Sequence, residues 1–215
     1  MNAPAIRYPF DARPEPGEAM EVAPRVRWLR MPLPFQLDHI NLWLIGDGDG
    51  WTVVDTGIGN AVTRAHWETV LARLEPPAVK RVILTHYHPD HAGNAEWLCR
   101  RFGVELWTTQ GEYLTAHAVS TASAGYTSEA VLEVFRRNGL DAVRLAAMGG
   151  RPNRYRELVP DFPHAYHRIY EGDRVRIGEH EWQAIVGYGH APEHLSLFCR
   201  DLNLVIAGDM LLSTI

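Results

Sequence analysis

The sequence predicts an α/β domain, and three observations carry that expectation. Short apolar runs of strand length alternate with helix-period segments between His39 and Thr109. Glycine and proline breaks separate the segments. The chain has 215 residues, 46% of them hydrophobic, enough for one sizeable core. The β-rich second half would make the domain α+β in some schemes.

The first 25 residues read as a loose N-terminal arm, because Pro4, Pro9, Pro14, Pro16 and Pro24 recur too often for regular pairing. Structure is expected from residue 26 to residue 215. "HINLWLI" (His39 to Ile45) and "WTVVD" (Trp51 to Asp55) flank "GDGDG", whose glycines permit the positive φ of a tight turn, so a β-hairpin is expected. Asn60 can cap a helix on which Trp67, Val70, Leu71 and Leu74 share one face, and Pro76-Pro77 stops it. "KRVILT" reads as a buried strand. A second helix follows "THYHPDH", with Ala95, Leu98, Cys99 and Phe102 on one face and Gly103 at its end, and "VELWTT" is a further strand. Strand, helix, strand, helix, strand implies right-handed crossovers.

From about 111 to 164 the pattern turns helical and irregular, like an insertion into the alternation; Ser128 is placed to cap a helix that Asn138-Gly139 would close. "HRIYEGDRVRIGEHEWQAIVGY", "HLSLFC" and "NLVIAGD" return to strand character.

Composition excludes several function classes. A net charge of -5 gives no footprint for nucleic acid, and the arginines at Arg151, Arg154 and Arg156 form only a local patch. The N-terminus lacks the apolar core of a signal peptide, and no run approaches the roughly 20 apolar residues that span a bilayer, so no membrane partner and a cytoplasmic location are expected. Cys99 and Cys199 show no CxxC spacing and are expected to be buried.

Three of the 11 histidines lie in "THYHPDH" and two in "GHAPEH". The other six, His39, His66, His117, His164, His167 and His180, are expected to be ordinary polar residues. His86 and His88 alternate at a strand end and so point to one side, while Pro89 breaks the strand and swings Asp90 and His91 around a turn. Such crowding of imidazoles beside a carboxylate favours a divalent metal, which turns competing lone pairs into ligands. Nitrogen and oxygen donors without a thiolate point to Zn2+, with iron and manganese as alternatives.

"THYHPDH" resembles the HxHxDH signature of the metallo-β-lactamase-fold hydrolases, and "VVDTG", "GHAPEH" and "AGD" resemble three further blocks of that family in order and spacing, over roughly residues 36–210. The resemblance implies an αββα sandwich. It implies that His86, His88 and His190 hold a first metal, that Asp90 and His91 hold a second, and that Asp209 bridges the two. Asp55 is similar to the family's supporting aspartate and His194 to a histidine beside the ligands. The metal would activate a water and polarise the substrate oxygen, with Asp90 accepting or relaying a proton. Tyr188 is read as an ordinary strand tyrosine rather than an oxyanion donor.

The family pattern includes one more histidine beyond the bridging aspartate, and no histidine follows His194, so the domain is expected to be incomplete at its C-terminus, with apolar surface that favours self-association into a homo-oligomer. The leading expectation is a glyoxalase II-like or lactonase-like hydrolase of a small ester, thioester or lactone. Asp209, where the zinc-dependent β-lactamases of the drug-resistance class have a cysteine, argues against that class, and His88, where flavodiiron oxygen reductases have a glutamate, argues against those. A mononuclear iron oxygenase of the persulfide dioxygenase type, using His86, His190 and Asp209, is one alternative. An inert metal-binding or partner-binding module is the other. The segment 111–164 would lid the cleft, with Tyr113, Tyr126, Tyr155 and the arginine patch placed to read an aromatic or anionic small-molecule substrate.

Overall fold

A computed structural model describes residues 7–123, 125–149 and 153–211. Its strands are β1 (Ala19–Ala23), β2 (Val26–Pro32), β3 (His39–Asp47), β4 (Gly50–Val54), β5 (Val79–Ile83), β6 (Leu106–Thr108), β7 (Tyr166–Arg168), β8 (Arg174–Ile177), β9 (His180–Gly187), β10 (His194–Cys199) and β11 (Leu204–Ile206). Its α-helices are α1 (Ala61–Ala72), α2 (Pro89–Ala92), α3 (Ala95–Phe102), α4 (Gln110–Ser120), α5 (Ser128–Arg137), α6 (Ala142–Gly149) and α7 (Tyr155–Leu158). β1 to β7 form one sheet in chain order; β11, β10, β9 and β8 form a second.

The first sheet changes character at β4. β1 to β4 pair antiparallel as successive hairpins, and β4 to β7 pair parallel through helical crossovers. β4, where the two regimes meet, is buried along all five residues, as a strand covered on both faces must be. Asp47 and Gly50 face each other across the expected hairpin turn, and Gly48 takes the positive φ of 61° that it requires.

Two apolar layers result. Leu29, Leu42, Leu44, Val53 and Val82 meet Trp67, Val70, Leu71 and Leu98 of α1 and α3 on one face of the first sheet. Ile45, Val54 and Ile83 meet Trp182, Ala184, Leu195 and Leu197 of the second sheet on the other. The outer face of the second sheet carries exposed Ile185 and Val205. Among the described residues, no helix is long and apolar enough to cross a membrane.

The helices follow local chemistry. Asn60 accepts from the Thr63 N–H at 2.8 Å and caps α1, and Gly103 ends α3 at φ 64° in the left-handed region. Both cysteines are buried.

Three expectations need correction. The segment read as an arm contains β1, because Pro16 and Pro24 flank this five-residue strand rather than interrupt it, and Arg25 (φ 57°) turns the chain into β2. Thr127, not Ser128, caps α5, its side chain accepting from Ala130 N–H. β5 already stops at Ile83, so His86 and His88 sit in the loop beyond it and Pro89 breaks no strand; it occupies the first turn of α2, where its missing N–H costs nothing.

Trp67 is wholly buried under the first sheet, and its indole N–H donates to Thr56 O at 2.8 Å. Trp67→Ala is expected to lower the unfolding free energy by about 3–5 kcal/mol, read from the urea midpoint at unchanged m-value.

Candidate metal centre

The centre is built where β4 and β5 end and their following loops diverge. Asp55, one residue past β4, sits at φ 62°, a left-handed conformation that aspartate tolerates better than most residues. Its buried carboxylate accepts from Thr85 N–H through Oδ1 and from the Thr85 hydroxyl through Oδ2, both at 2.8 Å, and Oδ2 lies 2.8 Å from His91 Nδ1. The contact between Oδ2 and Nδ1 orients the His91 ring so that Nε2 faces the centre.

The loop after Asp55 is closed onto the turn after His91. Thr56 N–H and its hydroxyl both donate to His91 O, and the Asn94 amide donates to Thr56 O and Ile58 O. Gly93 permits this approach, since a Cβ there would run into Gly59 N, Leu158 O and Gly57 O.

Two donor groups converge above this base. His86, His88, His190 and Asp209 form one, with His86 Nε2 at 2.9 Å from His88 Nδ1, at 3.2 Å from His190 Nε2 and at 4.0 Å from Asp209 Oδ2. Four ligands around a tetrahedral ion with bonds of about 2.05 Å stand about 3.3 Å apart, close to these spacings. Asp90, His91 and Asp209 form the other, with His91 Nε2 at 3.7 Å from Asp90 Oδ2 and 3.4 Å from Asp209 Oδ1. Asp209 belongs to both.

The electrostatics of the two groups are opposite. Burial, then the neighbouring His91, His88, His194 and His190, drive His86 far below the ordinary histidine range. Burial, then His190 and His91, pull His88 down to about 4. Both rings are therefore held neutral. At His91 burial also opposes charge, but Asp55, Asp209 and Asp90 outweigh it and push the imidazole up to about 10. Burial raises Asp90. Among the described residues, the buried His91 Nε2 has no hydrogen-bond partner. An orphaned ring nitrogen facing two carboxylates, beside the convergent imidazoles of His86, His88 and His190, is a donor set that suits a divalent cation.

His194 is fully buried rather than a surface residue. Its ring lies stacked 4.7 Å from His86, and its Nε2 accepts from Asp209 N–H at 3.2 Å. Gly208 makes room for that ring, since a Cβ there would lie 2.6 Å from His194 Nε2. Tyr188 lies just past β9 rather than within it and is 72% exposed.

The aromatic and basic candidates of the helical segment divide. Tyr155, expected to read substrate, is buried and donates its hydroxyl to Tyr87 O at 2.7 Å, because α7 turns it into the core. Tyr113 stacks on Tyr166 at 3.8 Å. Tyr126 lines an apolar groove of about 280 Å³ with Val119, Val131, Leu132 and Met148. Arg154 pairs with Glu157 on the surface, Arg156 is exposed, and Arg151 lies outside the described residues. His39, read as ordinary, lies with Asn41 and Trp43 in the wall of a cavity of about 470 Å³ that also holds His91 and Asp209. Nothing in its sequence neighbourhood marked it. Glu112 was not singled out either, although its carboxylate is buried beside the centre.

A family model described as the Metallo-beta-lactamase superfamily matches residues 36–215. Over 83 residues the chain is 37% identical to the "Probable metallo-hydrolase YybB" of Bacillus subtilis (strain 168), an alignment covering 36% of this chain and 36% of that protein. Over 74 residues it is 35% identical to the atrochrysone carboxyl ACP thioesterase of Aspergillus fumigatus, covering 33% of this chain and 22% of that one. Among solved structures it is similar to a beta-lactamase domain protein from Burkholderia ambifaria, with a TM-score of 0.81 and 44% identity over 97% of this chain and 61% of that chain. The matches cover less than two thirds of the length of each of these relatives.

Asp55→Asn keeps a residue suited to the left-handed backbone but sets an amide against three donors. It is expected to cost about 1–3 kcal/mol in chemical denaturation and to change the 15N shifts of the His91 ring nitrogens. An unchanged midpoint and unchanged His91 shifts would remove Asp55 from its supporting role.

Proposed function

The chain belongs to the metallo-beta-lactamase superfamily, and from that premise we propose that it is a metal-dependent hydrolase of a small ester, thioester or lactone. One observation carries the reading: His86, His88, His190 and Asp209 form one convergent donor group, Asp90 and His91 share Asp209 in a second, and His91 Nε2 is buried without a partner among the described residues.

In this reading His86, His88 and His190 hold a first divalent ion, Asp90 and His91 a second, and Asp209 lies between them. Zn2+ suits the donors best, with iron or manganese as alternatives. Metal bound there supplies Lewis acidity, lowering the pKa of a water towards 7 and polarising the scissile carbonyl. The protein does the rest. Asp55 holds His91 with Nε2 facing the centre. His194 fixes the backbone of Asp209. Asp90 takes the proton of the attacking water and returns it to the leaving alcohol or thiol, so the proton count closes within one turnover.

The acyl preference draws on the thioesterase relative and on the apolar groove. Tyr126, with Val119, Val131, Leu132 and Met148, gives the groove a lining that suits an apolar acyl portion.

The purified protein is expected to carry divalent metal and to hydrolyse at least one member of a panel of thioesters, lactones and simple esters. Chelation should abolish turnover, and Zn2+, Mn2+ or Fe2+ should restore it. His88→Ala should lower kcat/KM by about 100-fold or more. Absence of metal binding, or turnover that survives chelation, overturns the proposal. One iron per chain with dioxygen uptake and no hydrolysis would select the persulfide-dioxygenase-type reaction instead.

A further inference from the structure

The helical segment reaches the backbone of the centre. The two peptide groups that flank Tyr87, and so join His86 to His88, are both held by that segment. The Tyr87 N–H donates to Glu112 Oε2 at 2.9 Å, and the Tyr87 carbonyl accepts the Tyr155 hydroxyl at 2.7 Å. Glu112 lies in the first turn of α4 and is fully buried; Tyr155 opens α7. The second oxygen of Glu112 reaches the other donor loop, where Oε1 accepts from Glu193 N–H at 2.7 Å. That loop carries His190 three residues before Glu193 and His194 one residue after it. One carboxylate therefore spans two backbone segments whose histidines, His86 and His190, are 104 residues apart.

The arrangement is reciprocal. Glu193 Oε2 accepts from Gly111 N–H at 2.6 Å, and Glu193 O accepts the Thr109 hydroxyl at 2.7 Å, so the start of α4 and the His190 loop grip each other from both sides. Gly111 is required for the fit, since a Cβ there would lie 2.8 Å from Glu193 Cγ. None of these contacts touches a ligand side chain. They fix where the backbone presents His86 and His88 relative to His190.

We infer that Glu112 and Tyr155 are metal-positioning residues, clamping the Tyr87 backbone so that His86, His88 and His190 meet at ligand spacing. The inference rests on the metal-hydrolase reading above, and it makes the segment from α4 to α7 part of the donor scaffold. Glu112→Gln is a selective probe. Both oxygens accept a backbone N–H, so whichever way the amide turns, its NH2 faces one of them and either Tyr87 or Glu193 loses its acceptor. Tyr155→Phe removes only the hydroxyl and leaves the ring packed.

The test is titration of the full chain with Co2+, reading the visible d–d spectrum and the dissociation constant, beside a thermal melt of each metal-free protein. Glu112→Gln is expected to weaken Co2+ binding by about 10- to 100-fold and to alter the spectrum. Tyr155→Phe should shift both in the same direction by less. Leu71→Ala, which loosens the same apolar layer from α1 and removes none of the hydrogen bonds to the Tyr87 backbone, should lower the melting temperature and leave Co2+ affinity unchanged. If Glu112→Gln fails to fold, Tyr155→Phe decides alone. Wild-type affinity and spectrum in the folded variants overturn the inference and leave the hydrolase reading intact. A Leu71→Ala protein that loses affinity as much as Glu112→Gln also overturns it, because general destabilisation would then explain both. A wild-type chain that binds no Co2+ sinks the hydrolase reading and the inference with it.

Discussion

The structure of the centre depends on the contacts of one buried carboxylate. Asp55 leaves the most buried strand of the first sheet and ties itself to Thr85, the residue that follows β5 and Leu84, and to His91 beyond the next turn. Without the carboxylate the buried Thr85 N–H would lose its acceptor, at a cost of about 1–3 kcal/mol. The Asp55 backbone is held in a left-handed conformation that β4 and the Thr56 bonds over-determine. Two strand ends and one histidine thus take a single mutual arrangement, and the other donors are placed relative to it.

On that base, the sequence order of the donors matters less than the sheet edges that deliver them. His86 and His88 follow β5, His190 lies between β9 and β10, and Asp209 follows β11, so both sheets contribute to one rim. His86 and His88 are crowded and desolvated enough to be neutral, while the carboxylates around His91 demand positive charge close by. A protein that used these groups only for packing would gain little from either condition, since both cost solvation free energy.

How much of this could be read from the sequence divides along a physical line. Short-range chemistry was legible: the glycine turn between β3 and β4, the Asn60 cap, the Gly103 stop and the crowding in "THYHPDH" act over a few residues. The donors in "GHAPEH" and "AGD" came through resemblance, because nothing local marks His190 or Asp209. What stayed hidden was set by tertiary direction. Tyr155, expected to read substrate, is turned inward by α7, and nothing in the sequence singles out Glu112, which the approach of the His190 loop buries. β1 was masked by prolines that flank it without entering it. In each case the deciding partner lies about 68 or more residues away, or on a strand whose own pairing had first to be known.

The unequal exposure of the donors has a kinetic consequence. His86 and His91 are sealed at 0% and 1% accessibility, whereas side chains of His190 and Asp209 keep 33% and 21% of theirs. Asp90 keeps 22% as well, so the open side of the centre is lined by His190, Asp209 and Asp90, which act as the door, with the buried histidines as the far wall. Occupancy at equilibrium is shared among all the donors, but the rate of exchange with solvent is in the hands of the residues at the threshold.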